Sequence, residues 1–426
     1  MSTEIRPERA AARLPLGEPT GSGSATARLA RVLVTDADSK AGLALIRSLG
    51  RAGYEVLAAS SHAGAAGFRS RHVSRRLLYP PPSKRTADFV KALRWAVTSL
   101  HLDLLIPVSD EALLPLAAAR DQFEPHCRLA LPHNPAVAAA ASKKETLDVA
   151  RRLGVPVPRS CLVSSATEAA DCADELGYPA VLKAEHTFRF DTRDGVGRPG
   201  TVYANSRREV LLEADALING GPLLVQEYVA GGAEGVEILA RDGQPLLAFQ
   251  HRRIREVPVT GGVSSMRESV PLDDELFAYA CRLLAELRWM GLAMVEFKLT
   301  TQGPVLMEIN GRPWGSIGLA VEAGADFPRL LADMLLGEGP PAAVGGYRVG
   351  LRSRNLELEL LWAASVALGR RRYHFLPFPP RRAALQALTD LFRRGVSDDF
   401  LRGDDPLPGV VHLLGIVRRL GQRLLR

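Results

Sequence analysis

Met294-Val-Glu-Phe-Lys-Leu-Thr-Thr-Gln-Gly-Pro-Val-Leu-Met-Glu-Ile-Asn-Gly-Arg-Pro-Trp314 is the stretch on which the reading of the whole chain turns. Val295, Phe297 and Leu299 alternate with Glu296 and Lys298, and a second β-rich run follows Thr301-Gln302-Gly303. This alternation predicts a half-buried hairpin with its polar side chains on one face. Glu308 and Asn310 share that kind of face, because side chains two apart on a strand point the same way.

A hairpin centred near Gln302 sets Glu296 directly opposite Glu308, where like charges repel. A divalent cation between them would relieve the repulsion. Two carboxylates and an amide oxygen are hard ligands of the kind Mg²⁺ (or Mn²⁺) takes. A surface hairpin carrying two solvated glutamates fits the same residues.

The 426 residues exceed one typical domain and predict two or three. With 46% hydrophobic and 24% charged residues, the composition is globular. Cys127, Cys161, Cys172 and Cys281 are scattered without CxxC spacing, so neither a zinc site nor a disulfide framework is indicated. Reduced thiols in a cytoplasmic protein are the expectation. No apolar run of about 20 residues is present. The net charge of +7 is uneven: residues 341–426 hold 15 Arg, no Lys and 7 Asp or Glu, which is 15 − 7 = +8.

Residues 1–28 lack periodicity and read as a disordered leader, with Glu4, Glu8 and Glu18 arguing against a transit peptide. From Arg31 strands alternate with helices: strands at 31–35, 54–59, 104–108 and 129–131, helices at 42–52, 87–99 and from 111. That rhythm predicts a parallel sheet wound by right-handed crossovers. The first turn, from Thr35 to Gly42, lacks GxGxxG, so no dinucleotide is assigned to it. Ser109 and Asp110 read as a helix cap after a strand.

Ser142 and Glu145 are spaced as a capping box around Lys143 and Lys144, and a cation in a first helical turn calls for an anion nearby. Tyr178-Pro-Ala-Val-Leu-Lys183 is an apolar strand closing on a lysine, and Asp191–Gly200 is glycine-rich and reads as a mobile loop. Pro222–Val229 is a further strand, and Val236–Leu239 with Leu246–Gln250 makes a hairpin across Arg241-Asp242-Gly243.

Lys143, Lys183, Gln226-Glu-Tyr-Val229 and Glu296 with Glu308-Ile-Asn310, in this order, resemble the ATP-grasp superfamily, and within it the carbamoyl-phosphate-synthase-like and predicted ATP-dependent carboligase branch. The resemblance covers residues 30–340. It implies an α/β and α+β architecture: a leader over 1–28, a parallel-sheet, Rossmann-like pre-ATP-grasp domain over 29–140, a two-lobed ATP-grasp domain over 141–340 with its small lobe at about 155–230, and a helical basic extension over 341–426.

The resemblance further implies an ADP-forming ligase that activates a small-molecule carboxylate as an acylphosphate for attack by an amine. By its pattern Lys143 and Lys183 hold ATP phosphates, with Lys144 a competitor for Lys143. Gln226, Glu227, Tyr228 and Val229 form the adenine hinge, and Glu234 takes the ribose. Glu296, Glu308 and Asn310 bind Mg²⁺. Arg312 serves the transferred phosphate, and Arg255, ahead of Arg252 and Arg253, binds the substrate carboxylate or γ-phosphate. The Asp191–Gly200 loop becomes a lid. In D-alanine ligases an arginine stands two residues before the first metal ligand, and here that position is Met294. A small-molecule kinase and a non-catalytic ATP-binding or membrane-associated scaffold remain as alternative readings, and the resemblance leaves room for a homodimer.

In the tail, Arg370-Arg-Arg372 and Arg381-Arg382 flank the stiff Phe375–Pro380 segment, and Val410–Arg426 is amphipathic. That last helix could lie on an anionic membrane, but packing on its own protein is the simpler expectation. Specific nucleic-acid binding is not indicated, since aromatic interleaving is absent.

Overall fold

The computed structural model describes residues 29–424, apart from 187–188, 192–194, 198–199, 219–220, 338–345 and 370, with backbone alone at 189–191, 195–197 and 419–424. The leader expected over 1–28 lies outside the described residues.

Arg31–Val34, Glu55–Ser60, Leu104–Ile106 and Arg128–Leu129 form a parallel sheet as expected. Val73–Leu78 adds an edge strand that periodicity did not suggest, because Ser74, Arg75 and Arg76 are exposed in succession. The inner strands read as unbroken apolar runs because both faces are covered. Val32, Val34, Val56 and Ala58 pack toward helix Lys40–Arg51, whereas Leu33, Leu57 and Ala59 pack toward Phe89 and Leu93. Helix Lys40–Arg51 also packs on Ile317–Ala323 and Phe327–Leu336, so the N-terminal unit shares a core with the rest of the protein.

A second sheet, antiparallel, has the order Val202–Ala204, Ala180–Ala184, Leu223–Glu227, Ser160–Val163. Helices Ala166–Leu176 and Arg207–Ile218 cover one face and bury Ala180, Leu182, Leu223 and Val225. Alternation therefore turns Lys183, Leu224 and Gln226 to the uncovered face. A disulfide joins Cys161 on an edge strand to Cys172 on a covering helix, which corrects the expectation of four reduced thiols; Cys127 and Cys281 are free.

The large sheet has seven strands, in the order Gly303–Asn310, Gly291–Thr300, Gly232–Arg241, Gln244–Val257, Val263–Ser269, Arg352–Arg354, Val396–Asp398. The Gly232–Arg241 hairpin turns at Asp242-Gly243, where φ is +48° and +79°, the left-handed pair that a tight two-residue turn demands. Helix Asp274–Glu286 covers one face with Leu276, Ala280 and Leu283, burying Val236, Ile238, Val295, Phe297, Leu306 and Ile309. The residues between these, among them Glu296, Glu308 and Asn310, look the other way. The last two strands come from the tail, so the basic extension completes the sheet besides supplying helices Leu356–Ala367, Arg382–Asp390 and Leu407–Leu424. Helix Leu407–Leu424 packs on Ala66–Arg69, in keeping with the simpler expectation for it. No described helix is long and apolar enough to cross a membrane.

Candidate active site

Glu296 pairs with Glu308 across adjacent antiparallel strands, as expected, but by another route: Thr300 pairs with Gly303, a turn that alone would set Glu296 opposite Met307, and a bulge between Phe297 and Glu296 shifts the pairing by one residue. Glu308 accepts a hydrogen bond from Asn310 Nδ2 at 3.0 Å, and Glu296 is bound by Arg253 Nη2. Burial, with the charge of Glu308 facing it, pushes Glu296 up to about 7 against the pull of Arg253. Burial opposes ionisation of Glu308 too, but Asn310 and the Lys143 and Lys183 ammonium groups outweigh it and hold this carboxyl below the usual range.

Among the described residues no group of three or more His, Cys, Asp or Glu is placed to hold a metal. The oxygen set here is mixed: two carboxylates in register and an amide two residues on. That donor set fits Mg²⁺, and the raised Glu296 carboxyl facing an ionised Glu308 is the charge conflict that a divalent cation would relieve.

Lys183 reaches the same place from the second sheet. Its Nζ donates to Gln226 Oε1 at 2.9 Å, and burial pushes the ammonium down to about 8 although Glu308 draws it up. Lys143 follows the N-cap Ser142, whose Oγ accepts from Glu145 N at 3.1 Å, as the capping box anticipates. The Lys143 backbone N–H donates to Glu185 O, and its side chain lines a cavity with Asp110, Trp289, Glu308, Asn310 and Gly311. Lys144 instead pairs with Asp148 at 2.6 Å on the exposed side of the helix.

Arg312 donates from Nε to Asp110 Oδ2 at 3.0 Å and from Nη2 to Asn310 Oδ1 at 3.3 Å. Ser109 does cap its helix through Ala112 N, while Asp110 has the second task of anchoring this guanidinium beside the carboxylates. The hinge candidates lie where the second sheet ends. Gln226 is buried with its side chain on Lys183, and the Glu227 carboxylate is taken by Arg159 Nε at 2.7 Å. Tyr228 is half-buried and packs edge-on to Tyr203, with Val229 following.

Two expected site residues are elsewhere. Arg255 is buried under the tail, where it donates to Glu359 Oε2 at 2.6 Å and Asp390 Oδ2 at 2.9 Å. A β-bulge between Arg253 and Arg255 is the cause: Arg253 pairs with Arg267 and Arg255 with Met266, so one extra residue flips the second arginine to the other side. Glu234 pairs with Phe297, while Gly235 pairs with Glu296, so Glu234 shares the face covered by helix Asp274–Glu286. There it accepts from Gln250 Nε2 at 2.6 Å. Arg253 is the arginine that sequence reasoning ranked too low. Counting pairs back from Glu296 through Gly235 to His251 puts Arg253, two residues further, on the site face. The expected lid is partly described, as strands Arg189–Asp191 and Gly195–Gly197 paired antiparallel; residues 192–194 and 198–199 lie outside the described residues.

Residues 220–357 match the family described as "ATP-grasp in the biosynthetic pathway with Ter operon". Ribosomal protein bS6–L-glutamate ligase of Escherichia coli O7:K1 (strain IAI39 / ExPEC) is 28% identical over 237 residues, which is 53% of this chain and 74% of that protein. Among solved structures, an ADP complex of N5-carboxyaminoimidazole ribonucleotide synthetase superposes with a TM-score of 0.62 at 16% identity, covering 85% of this chain and 96% of that one. The biotin carboxylase domain of the Hydrogenobacter thermophilus 2-oxoglutarate carboxylase, a dimer with MgADP, gives a TM-score of 0.60 at 16% identity, covering 76% and 73%. An L-amino acid ligase from Bacillus licheniformis gives 0.57 at 15%, covering 73% and 75%. Two lysines from one side and a carboxylate–amide set from the other meet between two antiparallel sheets, and with residues 220–357 matching an ATP-grasp family and these structures superposing, the chain has the ATP-grasp fold.

Proposed function

We propose that this chain is an ADP-forming ligase that joins a small-molecule carboxylate to an amine through an acylphosphate. The observation that carries the reading is the convergence of Lys183, Lys143, Arg253 and Arg312 on a pair of facing glutamates. Carboxylate and triphosphate repel each other, so phosphoryl transfer between them needs fixed positive charge.

Lys143 and Lys183 hold phosphate oxygens of ATP, and Gln226 aims the Lys183 ammonium. The adenine rests against the hinge at Gln226–Val229. Glu296, Glu308 and Asn310 would hold Mg²⁺, which supplies charge neutralisation at the phosphates. Arg253 and Arg312 grip the acid substrate and the transferred phosphoryl group, a task suited to a permanently charged fork that binds two oxygens. A carboxylate oxygen attacks the γ-phosphorus and ADP leaves. The amine nitrogen then attacks the acyl carbon, phosphate departs with the bonding electrons, and the amine proton passes to solvent.

Incubation of the purified protein with ATP and a panel of acids and amines, amino acids foremost, should release ADP and phosphate only when both partners are present. Release of AMP and pyrophosphate would overturn the reading. A second expectation concerns pH. Lys183 must be charged to hold phosphate, and burial has lowered its ammonium to about 8. Nucleotide binding below that pH finds it protonated; above it, binding must first restore a proton. ADP affinity measured by calorimetry should weaken toward roughly tenfold per pH unit above 8, and Lys183→Met should flatten that slope.

A further inference from the structure

The charges of the tail are sorted by direction. All seven of its acids are engaged. Glu359 and Asp390 hold Arg255, Asp399 lies between Arg267 and Lys40, Asp404 meets Arg51, and Asp405 binds Arg47 at 2.9 Å. Asp398 accepts from the backbone of Leu356, Phe400 and Leu401, and Glu357 lies 3.7 Å from His412. Five of these seven thus neutralise cations of the body. The tail's arginines at Arg371, Arg372, Arg381, Arg382, Arg393 and Arg394 are all exposed. Among the described residues only Arg393 of this set reaches an acid, Asp390 at 4.0 Å, which Arg255 already holds.

Between these arginines runs an apolar stripe. Helix Arg382–Asp390 turns Ala384 and Ala387 inward onto Trp362 and Val366. Its outward side presents Leu385 and Leu388, 67% and 42% exposed, and the next turn adds Phe392 at 87%. Positions 385 and 388 share one helical face, Phe392 follows in the turn past the helix end, and arginine pairs stand before and after the three.

We propose that this face docks on an anionic lipid bilayer, with Leu385, Leu388 and Phe392 entering the headgroup boundary and the bracketing arginines meeting lipid phosphates. The charge pattern selects this occupant. A second copy meeting the face by a twofold axis would bring arginine pairs against arginine pairs, and a nucleic acid offers no apolar layer for two leucines. A bilayer surface supplies both apolar depth and negative charge, and no described helix spans it, so contact is peripheral. Phosphoryl chemistry and docking then occupy separate faces.

Co-sedimentation of the full chain with vesicles tests this. Binding is expected to phosphatidylcholine vesicles containing phosphatidylglycerol, and not to phosphatidylcholine alone. It should weaken about tenfold or more in the double variant Arg393→Glu, Arg394→Glu, in the double variant Leu385→Ser, Phe392→Ser, and on raising salt for the wild type. Both variants should keep the wild-type thermal midpoint and ADP release, since these side chains pack on nothing in the core. Equal binding to neutral vesicles, or binding indifferent to both variants, would overturn the proposal. So would a concentration-dependent dimer abolished by Phe392→Ser, or duplex DNA binding without vesicle binding.

Discussion

Glu308→Gln should lower ATP-dependent ADP release by on the order of 10³-fold at saturating substrates while leaving the thermal midpoint within a few degrees of wild type. Glu308 is the carboxylate that stays ionised: Asn310 and the two lysines hold it below its ordinary range in spite of its burial. Glutamine has the same shape and can still accept from Asn310 Nδ2, so the hydrogen bond at 3.0 Å survives. What disappears is one negative charge facing Glu296 and Lys183. If the charge organises nucleotide and cation, turnover fails with the fold intact. Coupled-enzyme assay and calorimetric unfolding separate the two outcomes. A Glu308→Gln protein of near-normal activity would remove this carboxylate from the chemistry.

Arg255→Ala should do the reverse. Its guanidinium pairs with Glu359 and also holds Asp390, with side-chain exposures of 8%, 1% and 14% for the three residues. Removing the cation leaves a buried carboxylate uncompensated, a loss that costs about 3–5 kcal/mol. The thermal midpoint should fall by several degrees, and lysine should rescue it poorly because Arg255 serves two carboxylates through separate nitrogens. Below that midpoint, ADP release should persist. Arg253→Ala should show a different split, a large loss of turnover with a smaller loss of stability, because its partners Glu296 and Glu256 are 13% and 18% exposed against 1% for Glu359. Equal stability losses in the two variants would mean that the bulge does not separate a structural arginine from a site arginine.

That contrast marks where sequence reasoning stops. The facing of Glu296 and Glu308 was reached by centring the hairpin near Gln302, whereas the turn closes on Thr300 and Gly303 and a bulge beside Phe297, which sequence pattern did not show, brings the two glutamates opposite each other. Lys183 was readable because the apolar run Ala180-Val181-Leu182 precedes the lysine in a buried strand. Its neighbour Gln226 was read for its backbone, and only the pairing of the two strands puts its side chain on the lysine. Arg255 and Glu234 failed for one shared reason. Each was assigned by the family pattern and not from strand pairing, and it is the pairing, with a bulge between Arg253 and Arg255, that decides which face a residue takes.

Other features left no trace to read. Arg352–Arg354 and Val396–Asp398 are three residues each, too short for alternation to register, so the tail's part in the large sheet depends on contacts far apart in sequence. Cys161 and Cys172 are eleven residues apart on a strand and a helix, and their juxtaposition follows from how that helix packs on the small sheet. The Ser142–Glu145 box fixed the helix start, and the start decided between the lysines. Lys143 at the first position turns toward Glu308, and Lys144, four residues before Asp148, turns outward to an i,i+4 pair.

Anomalous diffraction from crystals grown with Mn²⁺ and a non-hydrolysable ATP analogue tests the central claim most directly. The manganese peak should fall about 2.0–2.3 Å from oxygens of Glu296 and Glu308, with Asn310 beside it, the Lys143 and Lys183 ammonium groups on the phosphates and Arg253 swung off Glu296. Metal and nucleotide bound at another surface, with Arg253 still seated on Glu296 and both lysines away from phosphate, would contradict it.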